Sequence, residues 1–214
     1  MSPHEPSCKP AIFLDRDGTL IEEIGYLHRP EDIRICPTAV EAVEKINQKG
    51  IPAIVITNQS AIARGLMREE NLEHLHRSLQ ETFREKGARI DALYYCPHHP
   101  QAGEGAYTQT CDCRKPEPGL FLRAARELQL DLSTSHMIGD TLRDVEAGHR
   151  AGCQSILVKT GYGQDELLLL GKEDSSSSAS SNPLQQPEYV AENILEAVNW
   201  ILEHYFEGQP EPAR

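Results

Sequence analysis

No stretch of this sequence is apolar over the roughly 20 residues that a membrane-spanning helix needs. Its start, MSPHEPSCKP, has neither a basic cluster nor the apolar run of a secretory leader. A cytoplasmic protein with no membrane partner is therefore expected. Basic residues are also in deficit, with 21 Lys and Arg against 33 Asp and Glu for a formal net charge of -12. Such a surface repels nucleic acid and anionic lipid, so neither is expected as a partner. It leaves room for an anionic small substrate, because a local pocket can be positive on an acidic protein. In a reducing compartment the six cysteines read as thiols or metal ligands, not disulfides. Cys8, Cys36 and Cys153 are scattered and read as idle or buried thiols.

What is present is alternation. Short apolar runs at Ala11 to Leu14, Ile51 to Ile56, Ala92 to Tyr95, His136 to Ile138 and Gln154 to Lys159 predict five strands. Helical spacing at Pro37 to Lys49, Arg68 to Lys86, Gly119 to Leu130 and Thr141 to Ala151 predicts helices between them, several closed by a glycine. The fold class is α/β, a three-layer Rossmann-like parallel sheet with helices on both faces. Residues 1–214 read as one domain. The serine-rich stretch 172–187 reads as a flexible surface loop. Pro187 to Tyr205 reads as a last helix with Val190, Ile194, Val198, Ile201 and Leu202 inward and Trp200 as its buried anchor. Residues 207–214 read as a frayed tail. His28 and His149 read as surface histidines. A monomer is expected.

Ligands of such sheets bind beyond the carboxyl ends of the strands, which directs attention to the polar residues there. FLDRDGTL puts Asp15 and Asp17 at the first strand end, on one side of the chain if the period of two persists. One carboxylate can attack an electrophile while the other moves a proton, and together they suit a hard cation. An acidic turn closing a strand is the plain alternative. ITNQS follows the second strand with Thr57, Asn58, Gln59 and Ser60, donors able to hold phosphate oxygens. RKPEPG places Lys115 before a proline-fixed turn, and MIGDTLRD places Asp140 at a strand end with Asp144 four residues on.

These four motifs, in this order and strand context from Ala11 to about Lys159, resemble the haloacid dehalogenase superfamily of phosphohydrolases. The resemblance implies that Asp15 attacks phosphorus to form an aspartyl phosphate. It implies that Asp17 protonates the leaving oxygen and then activates water, and that Thr57 and Lys115 neutralise the transferring group. Magnesium is implied on Asp15, Asp140 and the backbone carbonyl of Asp17. Asp144 reaches the metal through water or caps its helix, and the second is the reading preferred here.

CPHHPQAGEGAYTQTCDCRKP adds a further site. Cys96-x-His98 and Cys111-x-Cys113 offer three thiolates and one imidazole, the donor set of a closed structural zinc site, over a zinc loop of residues 96–113. Free thiols beside an exposed turn are the alternative, and His99 competes with His98 for the fourth position. A redox pair is disfavoured because the spacing is C-x-C, not C-x-x-C. The loop resembles that of a capless branch of the superfamily that holds heptose 1,7-bisphosphate 7-phosphatases and histidinol-phosphate phosphatases. GYLH, TNQSAIARG and YYCPHHP look like the heptose members. That resemblance implies a phosphorylated sugar as substrate, cleaved at the 7-phosphate for surface-glycan precursors such as the lipopolysaccharide core. It implies substrate contacts at Glu23, Ile24, Gly25, Tyr26, Thr57, Asn58, Gln59, Ser60, Arg114 and Lys115, with Arg114 on the phosphate that stays. Histidinol phosphate, or another small sugar phosphate, is the alternative substrate, and a non-catalytic zinc-loop binding module the alternative class. Enterobacterial-type heptose members carry lysine where this chain has Thr141, which leaves the anomer open.

Overall fold

The computed structural model describes residues 8–173 and 182–206. Six strands form one sheet: β1 Ile12–Leu14, β2 Ala53–Asn58, β3 Ala92–Cys96, β4 His136–Gly139, β5 Gln154–Val158 and β6 Tyr189–Ala191. Their order is β3-β2-β1-β4-β5-β6, and every pairing is parallel. The helices are α1 Ala39–Gln48, α2 Glu69–Glu85, α3 Gly119–Leu128, α4 Leu142–Ala151, α5 Gly163–Glu173 and α6 Ile194–Tyr205. The segments that follow β1 and β3 are loops and short turns, not a second domain over the sheet.

Alternation along the strands divides the core. Ile12, Leu14, Ala53 and Val55 pack with apolar residues of α1, α2 and α6. Phe13, Ile54, Ile56 and Met137 pack on the other face against Leu120, Phe121 and Ala124 of α3 and Ala147 of α4. Phe13 and Phe121 meet there with ring centroids 4.9 Å apart. A residue period of two on a sheet covered on both sides explains why the strands read as unbroken apolar runs.

The structure corrects the chain's last third. Residues 189–191 are strand β6, paired to β5, where a helix from Pro187 was expected. Asn193 starts α6, its side chain accepting from the amides of Leu195 and Glu196. Val190 therefore belongs to the sheet, and Trp200 is a half-buried residue stacked on Tyr189 at 5.0 Å, not a buried anchor. α5 was not expected. It runs into the stretch read as a loop, and Pro183–Gln185 form a 3-10 turn. Residues 174–181 of that stretch, and the expected frayed tail 207–214, lie outside the described residues. His149 is not a free surface group, since Nε2 meets Glu188 at 2.9 Å and Nδ1 meets the Leu184 carbonyl at 2.8 Å. His28 is exposed as expected. Among the described residues no helix is long and apolar enough to cross a membrane.

Candidate active site

Strand order reverses between β1 and β4, and the crevice beyond their carboxyl ends is where such a sheet takes its ligand. Asp15 leaves β1 with its amide donating to the Ile138 carbonyl at 2.9 Å, and Asp140 leaves β4 beside it. Lys115 arrives from the loop before α3. Its ammonium donates to the Ile56 carbonyl at 2.8 Å, pairs with Asp144 at 2.6 Å, and pairs with Asp15. Asn58 holds that lysine in place by two hydrogen bonds to its backbone, accepting from its amide at 3.0 Å and donating to its carbonyl at 3.1 Å. The Asp140 carboxylate accepts from the Tyr162 amide at 2.9 Å. Glycine at position 161 permits that approach, because a Cβ there would sit 2.6 Å from the Gly18 Cα.

Asp15, Asp140 and Asp144 each bring an oxygen within 4.8 Å of the others, and all three are buried. Burial pushes Asp15 and Asp140 above the usual carboxylate range, and the neighbouring acids add to the rise. Burial also opposes charge on Lys115, but Asp144 and Asp15 outweigh it and hold the ammonium above its ordinary pKa. Three acids against one lysine leave negative charge in a buried crevice. A hard divalent cation is the group such an oxygen set fits.

Asp17 stands apart from that triplet. The strand ends at Leu14, so the period of two does not carry through to Asp17. Its carboxylate is gripped by the Arg16 guanidinium, at 2.8 and 2.9 Å from Nη2 and 3.2 Å from Nε, and by Gln59 Nε2 at 2.9 Å. The same Gln59 amide donates to Thr57 Oγ1 at 2.9 Å. Asp15, Asp17, Thr57, Lys115 and Asp140 nevertheless line one cavity of about 320 Å³, which Glu23 and Asn58 also reach. An adjoining cavity is walled by Glu23, Gly25, Tyr26, Asn58, Gln59 and Ser60. Ile24 lines neither cavity and its side chain is exposed. Tyr26 is exposed beneath Arg64, whose guanidinium lies 6.0 Å from the ring centroid. Arg114 lies on a separate shallow cavity shared with Lys115 and Arg143, its Nη1 donating to the His98 carbonyl at 3.1 Å.

Asp144 has two tasks. Its Oδ2 accepts from the Thr141 amide at 3.0 Å and hydroxyl at 2.7 Å, starting α4 as the cap that was expected. Its Oδ1 pairs with Lys115, which was not expected. Sequence reasoning also missed Arg143 and Tyr162, which line the main cavity. Arg143 stands two residues beyond Thr141 and restores a positive charge near the position where lysine was missing. That proximity was the available signal. Tyr162 carried none.

The four donors Cys96, His98, Cys111 and Cys113 lie within 4.8 Å of one another. Sulfur–sulfur separations are 3.2 to 3.6 Å, and His98 Nδ1 stands 3.3 Å from Cys113 Sγ. A tetrahedron with metal–sulfur arms of about 2.3 Å has edges of about 3.8 Å, so the set fits a zinc-sized ion after slight expansion. His99 is excluded from the set, because its Nδ1 accepts from the amides of Gln101 and Ala102 at 3.1 and 2.9 Å.

A family model described as haloacid dehalogenase-like hydrolase matches residues 22–152, and one described as HAD-hydrolase-like matches residues 112–197. A D-glycero-D-manno-heptose-1,7-bisphosphate 7-phosphatase of Thermosynechococcus vestitus is 41% identical over 200 residues, spanning 92% of this chain and 97% of that protein. The D-glycero-beta-D-manno-heptose-1,7-bisphosphate 7-phosphatase of Escherichia coli K12 is 40% identical over 153 residues, 71% of this chain and 80% of its own length. Among solved structures, the D,D-heptose 1,7-bisphosphate phosphatase of B. bronchiseptica complexed with magnesium and phosphate superposes with a TM-score of 0.75. It is 30% identical and covers 91% of this chain and 98% of its own.

Proposed function

The chain belongs to the haloacid dehalogenase-like hydrolases, and on that premise we propose that it removes the 7-phosphate of D-glycero-D-manno-heptose 1,7-bisphosphate. The observation that carries the chemistry is the meeting of Asp15, Lys115, Asp140 and Asp144 at the switch point of the sheet. The relatives' named substrate, over 92% of this chain in one case, supports the choice of ester.

Asp15 supplies the nucleophilic oxygen. Its attack forms a bond to phosphorus as the bond to the leaving sugar oxygen breaks, and Asp17 gives that oxygen a proton. Water then attacks the aspartyl phosphate, losing its proton to Asp17, and inorganic phosphate leaves with Asp15 restored. Lys115 and Thr57 face the phosphoryl oxygens and offset their charge, which is most of what this transfer requires of a protein. Asp15, Asp140 and the backbone of Asp17 would hold magnesium, which supplies further charge neutralisation when bound. Cys96, His98, Cys111 and Cys113 would hold a structural zinc. Its loop runs directly into Arg114 and Lys115, so four closed ligands would fix the approach of two cations: Lys115 towards the phosphate that leaves and Arg114 towards the one that stays. The product would enter nucleotide-heptose synthesis.

Steady-state kinetics on both anomers of the heptose bisphosphate and on histidinol phosphate test the reading. A higher kcat/KM on a heptose anomer is expected. Equal or higher efficiency on histidinol phosphate overturns the substrate, and wild-type turnover by Asp15→Asn overturns the mechanism.

A further inference from the structure

Arg16, between the two catalytic aspartates, has only 3% of its surface exposed. A guanidinium buried so deeply needs a partner for each face of its fork. Nε and Nη2 take the Asp17 carboxylate. Nη1 lies 3.0 Å from Nε2 of His76, a buried residue of α2. A guanidinium only donates, so His76 Nε2 must be the acceptor and the ring proton sits on Nδ1. The ring is kept neutral for this task, its pKa pushed down to about 3 by burial and by Arg16. Leu72, Leu75, Leu79 and Phe83 of the same helix are all buried apolar residues. Packing alone would be served by another leucine at position 76. An acceptor there serves Arg16.

We propose that His76, acting through Arg16, is a positioning residue for Asp17, and that α2 thereby sets the direction of the proton donor. The fork fixes the carboxylate plane and His76 fixes the fork. Gln59 adds a donor to Asp17 Oδ2 and ties the grip to Thr57. The inference rests on the reading of Asp17 as the acid that protonates the leaving oxygen.

Two esters separate positioning from mere stability. An alkyl sugar phosphate needs a proton on its departing alkoxide, whereas p-nitrophenyl phosphate releases a phenolate that leaves without one. kcat/KM reports the steps up to release of that group, so later hydrolysis of the aspartyl phosphate does not enter. His76→Leu should lose about tenfold or more in kcat/KM on the sugar phosphate, a part of the roughly 10²–10⁴ that a positioned acid contributes in full. On p-nitrophenyl phosphate it should lose less than about threefold. His76→Gln, whose amide oxygen can accept from Arg16, should recover most of the difference. In an Asp17→Asn background His76→Leu should cost nothing further. Equal losses on both esters, or no loss on either, overturn the inference. If the leucine variant does not fold, Arg16→Lys, which keeps the charge and loses the fork, carries the same comparison of esters. An Asp17→Asn enzyme with no preference between the esters would instead remove the acid role on which the inference rests.

Discussion

At the scale of single residues, Asp144 shows how one carboxylate serves structure and chemistry through its two oxygens. Oδ2 caps α4 and Oδ1 anchors Lys115. The two can be separated. Asp144→Asn keeps an oxygen for the cap but removes the charge facing Lys115. It should lower kcat/KM roughly ten- to a hundredfold, the cost of a charged hydrogen bond, while thermal melting moves little. Asp144→Ala should lose the cap as well and melt lower, with about 1 kcal/mol more lost. Matching activity for the asparagine variant and the wild type would leave Asp144 as a cap alone. The same scale explains Asn58. Expected to touch substrate, it grips the Lys115 backbone from both sides, a task that residue type alone does not announce.

At the scale of elements, the loop from Cys96 to Cys113 has almost no regular structure of its own. It is held inward by its four donors and outward by α2, where Glu69 accepts from Tyr95 at 2.8 Å and from Tyr107 at 2.6 Å. Burial raises the free Cys96 thiol, and it holds Cys113 up at about 11. A bound cation is what would draw both into thiolates. Cys111→Ser should therefore lose metal, melt at a lower temperature, and raise KM on the bisphosphate substrate because Arg114 and Lys115 follow directly. Metal analysis should find about one zinc per wild-type chain if the four ligands close one site, and much less in the variant. Tight zinc retention with unchanged melting would refute the site.

At the scale of the whole molecule, His136 couples stability to pH. It opens β4, only 1% exposed, edge-on to Tyr205 at a centroid distance of 4.5 Å. Neither of its ring nitrogens makes a well-formed hydrogen bond, and the Gln154 side chain beside it and the charge of Glu188 only partly offset the burial. Burial lowers its pKa from the ordinary 6.5 to about 4. Between those values the unfolded chain binds more protons than the folded one, so stability rises with pH across that window. The contribution is fully present above 6.5 and is lost as pH falls towards 4, by up to roughly 3 kcal/mol. Asp15 and Asp140, raised instead of lowered, act with the opposite sign. The comparison with His136→Phe isolates the histidine. Urea unfolding should show the phenylalanine variant losing less stability than wild type between pH 6.5 and 4. Parallel curves would exclude His136 as the source.

Much of this protein could be read before it folded. Strand and helix alternation, the donors of the cysteine cluster, and Asp15, Lys115 and Asp140 at chain positions that face a sheet's carboxyl edge all depend on local period and residue chemistry. β6 and α5 could not be read that way. Three residues become a strand only because β5 offers an open edge, and the serine-rich stretch concealed where α5 ends. His99 lost its claim to the metal through two backbone amides that a sequence does not display. Tertiary structure alone brought Lys115 to Asp15 across 100 residues of chain and His76 to Arg16 across 60. The reason is physical. Spacing determines which groups can act, but burial and through-space charge determine which carboxylate is protonated, which histidine stays neutral, and which way a proton donor points.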